Sequence, residues 1–591
     1  MKKTITILFS LACVVGAVNA EVIDFTTNAS SGDPGFPTES ADFNVYYAGA
    51  TGKEARLGGT NENTYVYNPL SLTMKAGDGT STYLPDRWNL LGTFNFDIAS
   101  TEAGEKVVIE NETAKTVQIQ LGKINIKNSS TTSEATAVID MGSSYLYVRG
   151  NGTTQTPELN ISTNTKITGT KKDFMLSIDA NGTLYVSNNS QLTIDGNARV
   201  SNTATQGTLK GLSATVTIDA GSTIDIAKGK TLSFETNAVL TNNGTIKGQG
   251  ANLTIINGQN IAMDGVIDLT QYKDDADDIR STLTIGNGTK ITANNKFYAD
   301  IIKIDGADSA LYVADIKRNN GNTELTNGAT IIASGTMTTG QGHTIKVQSG
   351  SQMFVNACST NVNSSLNNYA IENANSLLHI KSGAISNRSG DVKDGGILQI
   401  DGTYTIANNG NSTDYNHAAA TKITVATGGK IKTNEIILET AKLDLQTANA
   451  ITNANGDAIN LTTDTASKGS LLAMSASQIF DTITADTTNL EVEITGDAVL
   501  TASFASANGG KIFINGFAED RVFVANADQI IDANSIFFAY ATAGDVSTQI
   551  SQLYINNGWL SAIAPTVPEP AEWAMIFGSI ALGLAIYRRR K

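Results

Sequence analysis

Three stretches of this chain align with almost no adjustment. Ile139-Asp140-Met141-Gly142 leads to Tyr145-Leu146-Tyr147-Val148, and Ile178-Asp179-Ala180-Asn181-Gly182 leads to Leu184-Tyr185-Val186. Ile218-Asp219-Ala220-Gly221 leads to Ile224-Asp225-Ile226. The leading isoleucines lie 39 and 40 residues apart, which reads as two coils of about 20 residues per repeat. A period of this kind restricts the fold more than any single motif, because each unit must bury its apolar face against its own copies.

The pattern continues more loosely. Leu283-Thr284-Ile285, Ile345-Lys346-Val347, Leu398-Gln399-Ile400 and Ile423-Thr424-Val425 each precede a glycine and a second short apolar strand. Strict alternation sends Ile, Leu and Val to one face and Thr, Asp, Lys and Gln to the other. No helical periodicity of useful length separates the strands, which argues against βαβ units. Connections of this length are also too short for an ordinary parallel crossover. A single-stranded parallel β-helix answers both points, since each strand pairs with its copy one coil away, about 4.8 Å along the axis. Only 8 prolines occur, as expected where nearly every strand N–H enters a ladder. Asn188-Asn189, Asn242-Asn243 and Asn319-Asn320 suit tight turns, with amides that can stack. A β-sandwich array is the second choice of fold, but no period near a sandwich domain's length is seen.

The body divides by composition. Residues 21–105 concentrate aromatic residues, among them Phe25, Tyr46, Tyr47 and Trp88, and read as an N-terminal β cap over an open coil. Carbohydrate stacking is the competing role for Tyr46, Tyr47 and Trp88. Residues 106–465 read as β-helix repeats, and 466–564 as terminal coils with a C-terminal cap.

Both ends carry export signals. Lys2-Lys3 precedes an apolar stretch from Ile5 to Val18, and Val18-Asn19-Ala20 offers small residues for signal peptidase. Residues 1–20 are therefore a signal peptide cleaved between Ala20 and Glu21. A lipoprotein reading through Cys13 is disfavoured, because Ser10 stands where such signals carry Leu. At the other end Val567-Pro568-Glu569-Pro570 is followed by an apolar run from Trp573 to Tyr587 and by Arg588-Arg589-Arg590-Lys591. The prolines keep the chain extended and accessible. Fifteen apolar residues make roughly 22 Å of helix, short of the ~30 Å hydrocarbon core, and flanking Arg and Lys side chains can snorkel across the difference. Their charge also holds the tail cytoplasmic.

This tripartite ending, residues 565–591, resembles the PEP-CTERM sorting signal of Gram-negative bacteria. The resemblance covers only about 25 residues, but matches in order, spacing and position. It implies handover to an exosortase at the inner membrane, cleavage near the Pro-Glu-Pro motif, and release to the cell surface or beyond. Proteins of that class are associated with exopolysaccharide and with biofilm or floc formation. An ordinary membrane anchor is the alternative for the tail.

Charge agrees with export. Removing Lys2, Lys3, the four C-terminal basic residues, Glu569 and Glu572 from 41 basic and 56 acidic residues leaves 35 against 54, a net charge near −19. Such a surface excludes nucleic acid as a partner and favours solubility. With Cys13 removed, Cys358 has no intrachain partner and reads as a small buried apolar residue.

Catalytic constellations are not apparent. Asp274-Asp275-Ala276-Asp277-Asp278 is an insertion between coils that reads as a solvated loop, without the ligand spacing of an EF-hand. Asp140, Asp179 and Asp219 occupy equivalent repeat positions and suggest a carboxylate ladder, but each also begins a turn, where Asp caps nearby N–H groups. The three histidines, His343, His379 and His417, lack the acidic partners of a metal site. No catalytic, cofactor or metal site is therefore expected. The leading expectation is an all-β, non-catalytic surface or matrix protein, an inner-membrane-anchored precursor that is then exported. Its expected partners are signal peptidase, exosortase, the inner membrane and extracellular polysaccharide. A secreted β-helix polysaccharide lyase or hydrolase is the alternative. An autotransporter passenger is set aside, because the C-terminus lacks the alternating strands of a translocating barrel.

Overall fold

The structure, a computed structural model, describes residues 21–24, 43–47, 55–57, 72–76, 87–90, 93–98, 106–111, 116–119, 122–129, 136–150, 156–201, 213–274, 277–295, 297–317, 321–340, 343–360, 365–366, 368–386, 388–408, 415, 420–464, 469–543, 545–565 and 570–590. Signal residues 1–20, including Ala20 and Cys13, lie outside them, as do Val567, Pro568, Glu569, His417, Asn319-Asn320 and Lys591. The chain forms two compact units, Met1–Lys381 and Ser382–Lys591.

In the first unit the chain visits three walls in turn. A first-wall strand Ala137–Asp140 is followed by Leu146–Arg149 on the second and Glu158–Ile161 on the third. The next coil repeats the order with Thr165–Thr168, Leu176–Asp179 and Thr183–Val186. Each pairs in parallel with the strand one coil before it. The fold is thus all-β, with long parallel sheets of the parallel β-helix type.

Alternation explains the walls. In Leu146–Arg149 the residues Leu146 and Val148 are buried while Tyr147 and Arg149 are half-buried on the outside. Ile178, Leu184, Val186 and Ile218 are likewise fully enclosed, and each such side chain contributes about 1.5–3 kcal/mol on leaving water. Turns take the residues that tolerate a left-handed backbone. Asn188 and Asn189 have φ of 55° and 54°. Asn242 departs from the turn expectation, being a buried strand residue whose amide reaches the Val266 carbonyl at 3.5 Å. Amide stacking occurs instead on the outer third wall, where Asn160 donates to Asn125 and Asn125 to Asn95, each at 2.8 Å. At Gly182 an added Cβ would lie 2.1 Å from the Val148 carbonyl oxygen, so the turn requires glycine there.

The repeat has a different meaning from the one its spacing implies. Ile139 pairs with Ile167, Ile167 with Ile194 and Ile194 with Ile226, so coils take 27 to 32 residues here. They shorten to 21 or 22 residues where Ile226 pairs with Gly248 and Gly248 with Leu269. Ile139, Ile178 and Ile218 stand on the first, second and third walls respectively. One repeat therefore spans a full coil and part of the next, rather than two coils. Within 21–105 the described strands also pair in parallel: Glu21–Asp24 with Phe43–Tyr47, that strand with Leu72–Ala76, and Ala55–Leu57 with Arg87–Leu90. Parallel pairing thus begins inside the stretch read as a cap. The side chains of Tyr46, Tyr47 and Trp88 lie outside the described ones.

The second unit is built in the same way. Gly390–Lys393, Lys422–Val425, Lys442–Leu445, Ser470–Met474, Leu490–Ile494, Ile512–Asn515 and Phe537–Tyr540 form a parallel wall. Its interior ends in larger side chains, Phe504 meeting Phe537 edge to face at 5.0 Å. The last strands reverse direction. Tyr554–Asn556 and Trp559–Ser561 form an antiparallel hairpin, and Trp559 pairs antiparallel with Phe523. This covers a strand edge that would otherwise present unpaired N–H and C=O groups. Exposed residues 562–565 follow, and then a helix over Pro570–Arg589.

Candidate functional site

Among the described residues, the outer face of the second wall in the first unit gathers aromatic and cationic side chains. Register brings Gln118, Tyr147, Ser177 and Arg199 into one column on successive coils, with Arg149 beside Asp179 in the next. Phe174 stands in the turn before Leu176–Asp179. Its ring receives the Arg199 guanidinium at 4.2 Å, and Arg149 lies 5.9 Å from the Tyr147 ring. Lys171 lies 5.5 Å from the Tyr145 ring. Tyr145 in turn meets Tyr147 and Phe174 edge to face, at 5.4 and 5.7 Å. Contacts of a cation with a ring face are favourable because the face is the ring's negative region.

Beneath this layer Asp179 is fully buried and accepts a hydrogen bond from the Tyr147 hydroxyl at 3.3 Å. Burial pushes the Tyr147 phenol above its ordinary value, the Asp179 carboxylate adds to the rise, and Arg199 and Arg149 oppose it. The same contact recurs at the next repeat, where Tyr185 donates to Asp219 and its phenol is raised chiefly by that bond. The tyrosine of one repeat thus binds the aspartate of the next. In the third repeat Asp225 replaces the tyrosine and pairs with Lys247 at 3.3 Å.

The three aspartates form no carboxylate ladder, the less favoured reading of their spacing, because Asp140 and Asp179 end strands of the first and second walls and Asp219 follows a strand of the third. Asp140 keeps the expected turn role, its Oδ1 accepting from the Gly142 N–H at 2.9 Å. Around the acidic insertion, Tyr272–Lys273 pairs antiparallel with Asp278–Ile279, and Asp275 and Ala276 lie outside the described residues. Lys228 anchors this hairpin, pairing with Asp277 and lying 4.0 Å from the Tyr272 ring, while Tyr272 donates to Asp274 at 2.6 Å. His343 is buried just before the strand Thr344–Gln348, whereas His379 is half-buried on a strand with its ring 5.9 Å from Phe354. Cys358 is buried on a strand, and burial pushes its thiol up to about 12. Among the described residues no group of three His, Cys, Asp or Glu side chains is arranged to hold a metal ion.

At the C-terminal end, Pro570 takes the first helical position, where its missing N–H costs nothing. The helix continues past Tyr587 to Arg589, so its 20 residues exceed the expected run and span about 30 Å. Met575, Phe577, Ile580, Leu582, Leu584 and Ile586 are all more than half exposed. Glu572 and Arg588 bound the apolar stretch, and among the described residues no helix is long and apolar enough to cross a membrane. Trp573 and Tyr587 lie within the helix, Arg588 and Arg589 in its last turn, and Glu21 begins a strand.

No family model matches this chain, and neither a curated protein nor a solved structure matches it.

Sequence reasoning quoted Tyr147 and Asp179 as parts of a repeat and missed that they meet. It also passed over Phe174, Arg149 and Arg199. The available signal was Tyr145-x-Tyr147-x-Arg149, which puts two rings and a cation at the outward positions of an alternating strand.

Proposed function

We propose that this chain is an exported, non-catalytic surface or matrix protein. In this reading its β-helical body is delivered through a C-terminal sorting segment at Val567-Pro568-Glu569-Pro570. The observation that carries the reading is the Pro570–Arg589 helix, with apolar side chains exposed on several sides and cations gathered in its last turn. The apolar stretch between Glu572 and Arg588 favours cover by protein or lipid, and an Arg-rich end favours the cytoplasmic side. Residues 562–565, which precede the motif in sequence, are exposed. The acidic body and its ladder of outward Thr, Ser, Asn and Lys residues suit an extracellular, hydrated setting. Signal peptidase acts at Ala20-Glu21 and an exosortase near Pro568 in this scheme, with the inner membrane as a transient partner and extracellular polysaccharide as the destination.

Replacing Pro568, Glu569 and Pro570 together by alanine is expected to retain the protein in the membrane fraction. Normal release of that variant would remove the sorting role from the motif. Deleting the chain is expected to weaken cell attachment or aggregation, and unchanged matrix content and attachment would count against the matrix role.

A further inference from the structure

We propose that the second-wall patch of the first unit, built from Tyr145, Tyr147, Arg149, Phe174 and Arg199, binds an acidic polysaccharide, with the two guanidinium groups receiving carboxylates of its sugar units. The inference deepens the surface reading by naming a ligand class and a site, and it rests on the body being exported.

Three observations carry it. The first is composition by position. Outward residues on neighbouring coils are small or polar, as with Ser233 and Thr254 in the same column. Here Tyr147, Arg149 and Arg199 add a ring and two guanidinium groups to a face that also holds Gln118 and Ser177. Rings pair an apolar face with a defined geometry, which suits the C–H faces of sugars.

The second is the state of the cations. Lysines on the outer walls pair with carboxylates one coil away, as in Lys166–Asp195 at 3.1 Å, Lys247–Asp225 at 3.3 Å and Lys422–Asp444 at 3.2 Å. Arg149 and Arg199 make no such pair among the described residues, and the Nε of each is buried without a hydrogen-bond partner. Each Nε is enclosed and out of a ligand's reach, so a carboxylate is received by the terminal nitrogens of the half-buried guanidinium groups in charge-assisted pairs. Asp179 is the one carboxylate placed beside Arg149 by register, and it lies buried and bonded to Tyr147. Among the described residues Lys171 adds a third cation at the edge of the patch, where exposed Asp173 also stands.

The third is spacing. The strands that carry Arg149 and Arg199 are two coils apart, about 10 Å along the axis between their backbones. Cations carried on different coils suit a polymer with repeated carboxylates. In a body near −19, a local excess of positive charge also selects a polymer that engages several groups at once over a single weak anion.

The test is affinity electrophoresis of the full chain in gels cast with polygalacturonate at low salt, with dextran as the neutral control. Retardation is expected in polygalacturonate only, weakening as salt is raised. The double change Arg149→Gln/Arg199→Gln is expected to weaken it at least tenfold, from the usual strength of charge-assisted pairs. Arg149→Lys/Arg199→Lys, which keeps the charge and loses the planar fork, should fall between. Lys247→Gln on the first wall should change nothing. Circular dichroism of each variant separates lost binding from lost folding, and the Lys pair remains informative if the Gln pair unfolds. No retardation, equal retardation in dextran, or retardation unchanged in folded Arg variants overturns the site. The assay does not read C-terminal processing, so its failure is distinct from failure of the sorting proposal.

Discussion

The two units use the outer face of the same kind of wall in opposite ways. In the first, Tyr147, Ser177 and Arg199 follow one another up a column, and the rings are met by cations and by the buried Asp179. In the second, register places Phe513 on Phe538, and their rings stack at 5.1 Å with planes 13° apart. Tyr540 adds a nearly parallel ring 6.2 Å from Phe513. Coils about 4.8 Å apart bring identical positions to stacking distance, so rings on consecutive coils satisfy one another. A small residue such as Ser177 between larger side chains breaks the stack and leaves room for charge. The first arrangement therefore sets rings against cations and a buried carboxylate, while the second sets ring against ring.

The sharpest way to break this comparison is to remove rings from inside and outside the same unit. Phe504→Ala, which empties a fully buried site against Phe537, is expected to cost about 3–5 kcal/mol. Phe513→Ala on the outside should cost nearer 1 kcal/mol, the scale of an aromatic pair. It should leave polygalacturonate retardation untouched. Equal losses of denaturation free energy from the two changes would mean that the outer stack is part of the core.

A smaller effect is expected on the first unit. Tyr147→Phe withdraws a hydrogen bond from buried Asp179 and should destabilise by about 1–3 kcal/mol. Tyr185→Phe, at a half-buried phenol, should cost about 0.5–1.5 kcal/mol. If hydrogen exchange across residues 146–149 and 176–179 is as slow in Tyr147→Phe as in the wild type, the bond has no structural weight.

The smallest effect is in pH dependence, and it separates the units. The folded Tyr147 phenol is raised above its ordinary value of 10.0, so its contribution is present below that pH and lost as pH rises through the folded value. Glu439 in the second unit is raised by burial first and then by neighbouring Asp464. Its contribution is present below the usual glutamate range and lost as pH rises through weakly acidic values. Exchange protection should therefore weaken in the first unit at alkaline pH and in the second at mildly acidic pH. Replacement by Tyr147→Phe or Glu439→Gln should remove each step, and a step that persists in its variant would assign it elsewhere.

Much of the strand content was legible, because alternation in stretches such as Leu184-Tyr185-Val186 or Ile423-Thr424-Val425 is a local signal. The wall assignment was not. Ile139, Ile178 and Ile218 look equivalent since strand–turn–strand corners share one chemistry, yet only cross-coil register shows that they face three directions. The aromatic–guanidinium patch was hidden for the same reason: Tyr147 and Arg199 are far apart in sequence, and two coils of pairing bring them together. The order in the acidic hairpin was likewise invisible, because its anchor Lys228 belongs to an earlier coil. In the tail the apolar run from Trp573 to Tyr587 marked a helix, but not its ends, since the helix runs from Pro570 to Arg589.

The central claim is delivery of the body through that tail, and C-terminal peptide mapping of separated membrane and extracellular fractions tests it most directly. The account predicts an extracellular form that ends near Pro568 and lacks residues 573–591. An intact tail found only in the inner membrane, with no shortened form outside, would contradict it.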